Sequence, residues 1–430
     1  METFWDIIDN LRDYKHVANF QRFCGVETYD LDETVNGHDL DNAGTVNSNH
    51  CECNSNKEIN GSVQHSNGTN SADHVKHRNG LKNGFKNGIT NPKGHEQRLA
   101  YKINNKLVHH MFEFGASLGS EMFYLIFFPF MIWNVDSRLT RHMLLIWYPL
   151  MYFGQFLKDW IKWPRPGAPA VRLEGKRFEM EYGMPSTHTI VGTCIPFTLL
   201  VLTSKYYEYP FILGLIVALL WTLLVACSRV YLGMHTVLDC IAGISLTALA
   251  LPWMLNVVEY VEYLQVTNPY APFVSFLIPL LACIYYPKPK VWSITRGDTS
   301  NIVSIGACCV LSAWLNYQLG WMTETPKHST PQPLPGITFD WMYYSLIRTV
   351  VGVSALGASR IVTKKIFLKL VCTCAGVETD DITKQRELGL EVPVRWLTIG
   401  GLAVSTAFTA PICFSYLGIN REGYYYEVGL

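Results

Sequence analysis

The stretch EYGMPSTHTIVGTCIPFTLLVL, residues 181–202, decides how this chain is read. From Thr189 to Leu202 it is apolar or uncharged, yet it opens on Pro185, Ser186, Thr187 and His188. A bilayer core of about 30 Å requires roughly 20 apolar helical residues at about 1.5 Å each. The quartet therefore falls where a membrane-spanning helix begins. Two readings are open at this point. Proline suits a first turn and hydroxyls accept from unpaired N–H groups there, so the quartet is a helix cap, or it is part of a site.

Working outward, similar apolar runs recur after residue 115. Candidate spans lie at Ala116–Trp133, Met143–Trp160, His188–Thr203, Phe211–Cys227, Val237–Val258, Ala271–Tyr286, Ile302–Leu315, Met342–Leu356 and Leu397–Tyr416. Several are shorter than about 20 residues, so the expected count is nine, give or take one. With 49% apolar and 16% charged residues, the chain reads as an all-α polytopic transmembrane helix bundle. Its formal net charge of zero argues against nucleic acid as a partner, which would require a basic excess.

The rest of the chain divides around that bundle. Residues 1–27 begin without a basic start or an unbroken apolar core, so no secretory signal is expected there. Phe4, Ile8, Leu11 and Ala18 recur there at helical spacing, which predicts an amphipathic helix lying on the membrane or on the protein itself. Residues 28–95 are rich in Asn, Gly, Ser and His and too poor in apolar residues to offset the entropy of ordering, which predicts a disordered tail. Residues 96–260, which carry the polar clusters described below, are expected to form the functional membrane core, and 261–430 the C-terminal transmembrane helices. TPKHSTPQPLPG (325–336) reads as an inter-span loop, and IVTKKIFLKL (361–370) as a helix lying on the surface. Arg348 stands inside an apolar run, which calls for a buried partner, a head-group contact or snorkelling to an interface. The twelve cysteines show no paired CxxC spacing suited to zinc, so neither a structural metal nor a disulfide framework is expected.

Three polar clusters interrupt the apolar pattern. KDWIKWPRP carries Lys158 and Arg165 at the end of the second span, PSTH opens the third, and SRVYLGMHTVLD carries Ser228, Arg229, His235 and Asp239 between the fourth and fifth. Following the chain across the bilayer puts all three on one side. Taken singly, the lysine and arginines are ordinary juxtamembrane charges and the hydroxyls are caps. Their convergence on one face points to a site instead.

The residue types then suggest the chemistry. Lys158, Arg165 and Arg229 supply positive charge, and guanidinium forks match phosphate oxygens. The N–H groups at the start of the third span favour an anion at the same place, where Ser186 and Thr187 can cap the helix or donate to that anion. His235 and Asp239 are four apart and share a helix face. A carboxylate holding Nδ1–H leaves Nε2 as a nucleophile and stabilises the cation formed on attack. His188 remains to protonate a leaving alcohol, a general-acid task suited to a group of its ordinary pKa.

The patterns K-x6-R-P, P-S-x-H and S-R-x5-H-x3-D resemble those of the type 2 phosphatidic acid phosphatase superfamily of lipid phosphatases. They stand here as Lys158–Pro166, Pro185–His188 and Ser228–Asp239. Thr187 occupies a position where most members carry glycine, and PSTH looks like the version found in sphingosine-1-phosphate phosphatases. FYLIFFPFMIWNVD (123–136), GMHTVLD (233–239) and SITRGDT (293–299) are also similar to those enzymes, and the likeness touches FQRFCGVE (20–27). The resemblance implies a helical membrane core, no metal or other cofactor, and residence in the endoplasmic reticulum. It implies a phosphorylated sphingoid lipid as substrate, with His235 as nucleophile, Asp239 as its orienter and His188 as general acid. Lys158, Arg165, Ser186, Thr187 and Arg229 would contact the phosphate. Two enzymic readings and one other follow: sphingoid phosphate hydrolysis; a broad lipid phosphatase or phosphotransferase; a non-catalytic transporter or scaffold. On sidedness, a basic excess that includes Arg172, Lys176 and Arg177 favours a cytosolic site, whereas the resemblance favours a lumenal one.

Overall fold

The computed structural model describes residues 3–30, 99–174, 181–287, 294–322, 332–333, 336–387 and 389–421. Two short helices open the chain, α1 (Phe4–Arg12) and α2 (Tyr14–Phe23). They are separated at Asp13, whose extended backbone ends the first and whose carboxylate caps the second. The expected single amphipathic helix is thus two, because a side-chain cap satisfies the second helix's first N–H groups. Strand β1 (Val26–Asp30) pairs antiparallel with β2 (Leu99–Ile103). Residues 28–30, the start of the stretch expected to be disordered, belong to that pair. The remainder of that stretch lies outside the described residues.

The membrane body comprises α3 (Lys106–Ser117), α4 (Glu121–Asn134), α5 (Ser137–Ile161), α6 (Thr187–Tyr206), α7 (Phe211–Tyr231), α8 (Val237–Thr267), α9 (Phe273–Ile284), α10 (Ile294–Gln318), α11 (Phe339–Ala375) and α13 (Glu391–Tyr416). A short helix α12 (Ile382–Glu387) precedes the last of these, and two-residue strands Tyr207–Glu208 and Gln332–Pro333 pair parallel. All nine apolar stretches are helical, but nine spans are not reached. Among the described residues six helices are long and apolar enough to cross a membrane, or seven if α3 and α4, bent 59° apart, form one. Two physical reasons account for the difference. Charged residues at both ends of α5 shorten its apolar part, and α9 is a short helix that begins with a π turn. The surface-lying segment 361–370 is also corrected. It continues α11, a single helix of 37 residues that ends only at Gly376, where a positive φ of 68° closes it.

Helix α6 sits at the centre, against α5, α7 and α8. Lipid tails are as apolar as leucine, so helices in a bilayer associate through close packing rather than hydrophobic burial. Small residues permit that approach. A Cβ at Gly192 of α6 would lie 2.7 Å from Val225 of α7, and one at Gly243 of α8 would lie 2.7 Å from the Ser186 carbonyl. The largest core cluster joins α4, α5, α6 and α10 around Trp133, Trp147, Leu144 and Ile190. Arg348 has its buried partners: Nη1 donates to the Trp133 carbonyl at 3.0 Å and to Asn134 Oδ1 at 3.3 Å. The guanidinium thereby occupies acceptors left free at the end of α4.

Candidate active site

Four elements deliver the polar clusters to one place. Lys158 lies in the last turn of α5, which stops at Lys162 in the left-handed region (φ 56°). The turn sends Trp163–Pro166 back over the helix end, and Arg165 points inward, 5% exposed. Ser186 caps α6, accepting from the Thr189 N–H at 3.5 Å, and its own N–H donates to the Asp239 carbonyl at 3.0 Å. Thr187 and His188 form the first turn of α6. Arg229 lies in the last turn of α7 and is fully buried. Met234 and His235 fold back so that both N–H groups bond the Arg229 carbonyl. The opening quartet is thus a cap and a wall of the site together.

Direct contacts join several of these groups, and electrostatics link His188 and Arg229 to them. Lys158 Nζ donates to Thr187 Oγ1 at 3.1 Å. Arg165 Nη1 donates to the Met234 carbonyl at 2.9 Å and lies 3.3 Å from His235 Nε2. Two of the arginine's neighbours thus belong to the loop that carries the imidazole. A guanidinium has only donors, so its contact with Nε2 requires a lone pair there. The proton of His235 then sits on Nδ1, the nitrogen that faces Asp239. Burial, followed by the charges of Arg165 and Arg229, holds the imidazole well below its ordinary pKa of 6.5, so Nε2 is unprotonated at neutral pH. His188 is close enough to act electrostatically on it. Burial and Arg229 lower the Arg165 guanidinium to about 10, opposed by Glu181, and it stays charged at neutral pH.

The orienting contact departs from expectation in one respect. His235 Nδ1 stands 3.8 Å from Asp239 Oδ2, too long for a hydrogen bond. That oxygen instead accepts from the Thr236 N–H at 2.8 Å, in a capping box with the Thr236 hydroxyl at the start of α8. Nδ1 and the other carboxylate oxygen, Oδ1, lack hydrogen-bond partners among the described residues. Catalytic hydrogen bonds are often long without substrate and tighten when it binds. Asp239 is therefore fixed by the helix it caps, with one oxygen left over for the imidazole.

Two carboxylates in the site escaped the sequence reading. Glu181 Oε2 lies 3.0 Å from Arg165 Nη2 and 3.4 Å from Lys158 Nζ, and Glu174 Oε2 lies 2.9 Å from Arg229 Nη2. Burial opposes the charge on Glu181, but Lys158 and Arg165 more than offset it and hold its carboxyl below the usual range. The available signal was two glutamates in the segment between the first cluster and PSTH, next to three cations that would need counter-charges. Gln21 of α2 was also missed. It donates to the Val171 and Tyr231 carbonyls at 2.6 and 2.8 Å and accepts from the Val171 N–H at 3.1 Å, which stitches the N-terminal helices onto this face. Nothing in the sequence pointed to it. Arg229 Nε and Nη1 have no hydrogen-bond partner among the described residues, so part of its fork is free for an anion.

Comparison with known proteins agrees with this arrangement. The sequence pattern of the PAP2 superfamily matches residues 139–263, which contain every residue of the cluster. Sphingosine-1-phosphate phosphatase 1 of Rattus norvegicus is 37% identical over 76% of this chain and 76% of its own. Sphingosine-1-phosphate phosphatase 2 of Homo sapiens is 32% identical over 96% and 99%. A dihydrosphingosine 1-phosphate phosphatase of Schizosaccharomyces pombe is 27% identical over 51% and 56%. No solved structure matches. Over nearly its whole length, then, this multi-pass membrane chain belongs to the sphingosine-1-phosphate phosphatases of the PAP2 superfamily.

Proposed function

We infer that this protein is a lipid phosphatase, a phosphoric monoester hydrolase that cleaves sphingosine 1-phosphate and related sphingoid base phosphates to the free base and phosphate. The observation that carries this reading is the unprotonated His235 Nε2 set among Lys158, Arg165 and Arg229. In the first step Nε2 attacks phosphorus and the bond to the lipid oxygen breaks. His188 gives its proton to that oxygen, so the base leaves as an alcohol, and Asp239 balances the charge on the phosphorylated imidazole. In the second step water attacks phosphorus and gives a proton to His188, and the bond to Nε2 breaks, which returns the lone pair to His235 and releases phosphate. The three cations and the first N–H groups of α6 stabilise charge on the transferring group. This reading needs no metal.

The test is phosphate release by the purified full-length chain from sphingosine 1-phosphate and phosphatidate, with and without EDTA. Release from the sphingoid substrate, unchanged by EDTA and blocked by vanadate, is expected. Activity that EDTA abolishes and Mg²⁺ restores overturns the metal-free mechanism. Exclusive release from glycerol lipids overturns the substrate.

For location, the reading is the endoplasmic reticulum membrane with a lumenal site. The strands that flank residues 31–98, and Gln21 beside them, pack on the catalytic face, which supports a reading with both ends of the tail on the same side of the membrane as the site. The sequons Asn60-Gly-Ser62 and Asn67-Gly-Thr69 lie in that tail, outside the described residues. A glycan removable by endoglycosidase supports the lumenal reading. An unmodified tail cut by protease on sealed microsomes overturns it.

A further inference from the structure

The two glutamates pose a problem that the phosphatase reading leaves unsolved. Glu181 occupies Lys158 and Arg165 through a single oxygen, so it stands one ion-pair distance from where phosphate oxygens bind. A dianionic phosphate that takes these cations deprives a nearly buried carboxylate, ionised at neutral pH, of its partners. An uncompensated buried charge is strongly unfavourable. The conflict disappears if the ligand brings its own cation close to its phosphate. A sphingoid base phosphate does so, because it carries an ammonium on the carbon next to the phosphorylated one. A glycerol lipid phosphate has no cation at that position.

We propose that Glu181 is the specificity-determining residue of this site, exchanging its lysine and arginine partners for the ammonium group of the incoming sphingoid base phosphate. The proposal rests on the phosphatase reading above and adds what selects the substrate. In the free enzyme Glu181 holds Lys158 and Arg165 in place. In the complex the phosphate takes the cations and the ammonium takes the carboxylate, so every buried charge keeps a partner. Glu174 is less suited to this task. Its side chain is 27% exposed, and water can compensate it when Arg229 turns to the phosphate.

The experiment measures kcat/KM of the purified full-length chain on two substrates, dihydrosphingosine 1-phosphate and octadecyl phosphate. The second keeps the phosphomonoester and the chain length and lacks the ammonium. Wild type is expected to favour the amine substrate at least tenfold. Glu181→Gln is expected to bring that preference towards one by losing more efficiency on the amine substrate than on octadecyl phosphate, which feels only the loss of the residue that holds Lys158 and Arg165. As in a double-mutant cycle, the change in ratio isolates the carboxylate–ammonium contact from the other differences between the substrates. The proposal is overturned if Glu181→Gln lowers both substrates by the same factor, or if its preference is intact. Where the variant does not fold, wild type decides: equal efficiency on both substrates overturns the proposal, and the tenfold preference upholds it. A wild-type chain that hydrolyses neither substrate sinks the phosphatase reading itself, which separates the two failures.

Discussion

Helices α5 and α8 bring buried charge together at both of their ends, and the two ends are built on different terms. At one end Arg141 Nε donates to Glu262 Oε1 at 2.7 Å, with His142 Nε2 3.7 Å from the other oxygen. One permanent cation meets one carboxylate, and both are almost wholly buried. At the other end Lys158 and Asp239 of the same helices are joined by Arg165 and Arg229, giving three cations in one cluster. There the pairing is loose. One glutamate oxygen serves two cations. A buried charge that is closely matched contributes to holding helices in register. A surplus of donors aimed at one point is instead a site that awaits an anion.

The largest effect is expected from removing the proposed nucleophile. His235→Ala is expected to bring turnover to background with no phosphoenzyme, while the unfolding midpoint in detergent changes little. Retained turnover moves the chemistry elsewhere. His188→Ala removes the proposed general acid and is expected to cost about 10²–10⁴-fold in kcat. The loss should shrink for a substrate with a better leaving group, such as p-nitrophenyl phosphate, and an equal loss on both substrates argues against the role.

The opposite end should respond in stability. Glu262→Gln leaves Arg141 buried without its counter-charge, for which about 3–5 kcal/mol is the usual cost. A lower unfolding midpoint with normal turnover per folded molecule is expected. If turnover falls while the midpoint holds, the two ends are not functionally distinct.

The smallest effect is in the pH profile. Because the His235 pKa is held below 6.5, acid must reach well under that value before Nε2 is protonated, so phosphoenzyme formation should stay level as pH falls through 6.5. The acid limb then lies lower still, and rapid-quench measurement of the phosphoenzyme checks it. A midpoint at or above 6.5 contradicts the electrostatics of the site.

Each part of the molecule was legible only as far as its chemistry is local. Chain order alone brought Lys158, Arg165, Ser186, Thr187, His188, Arg229, His235 and Asp239 to one face, because each cluster sits at a helix end and helices in a bilayer alternate direction. The structure places all of them in one cluster. The span count was less legible, since apolarity marks a helix but not whether it is straight and long enough to cross. The 59° bend between α3 and α4, the short α9 and the unbroken α11 are set by caps and packing. Arg348 lay between these cases. Its need for a partner was readable, but the Trp133 carbonyl was not, because the two residues are 215 positions apart.

Apolar run length and residue type are enough to specify an all-helical membrane protein and to propose a cationic, histidine-bearing site for phosphate. The neighbours of those residues came from the packing. It placed Glu181 on Lys158 and Arg165, tied Asp239 to the cap of α8, put Arg165 against His235 Nε2 and brought Gln21 beneath the catalytic loops. The physical reason is that a charge-to-charge contact depends on which loops meet at the end of the bundle. That is settled by how closely glycines such as Gly192 and Gly243 let the helices approach.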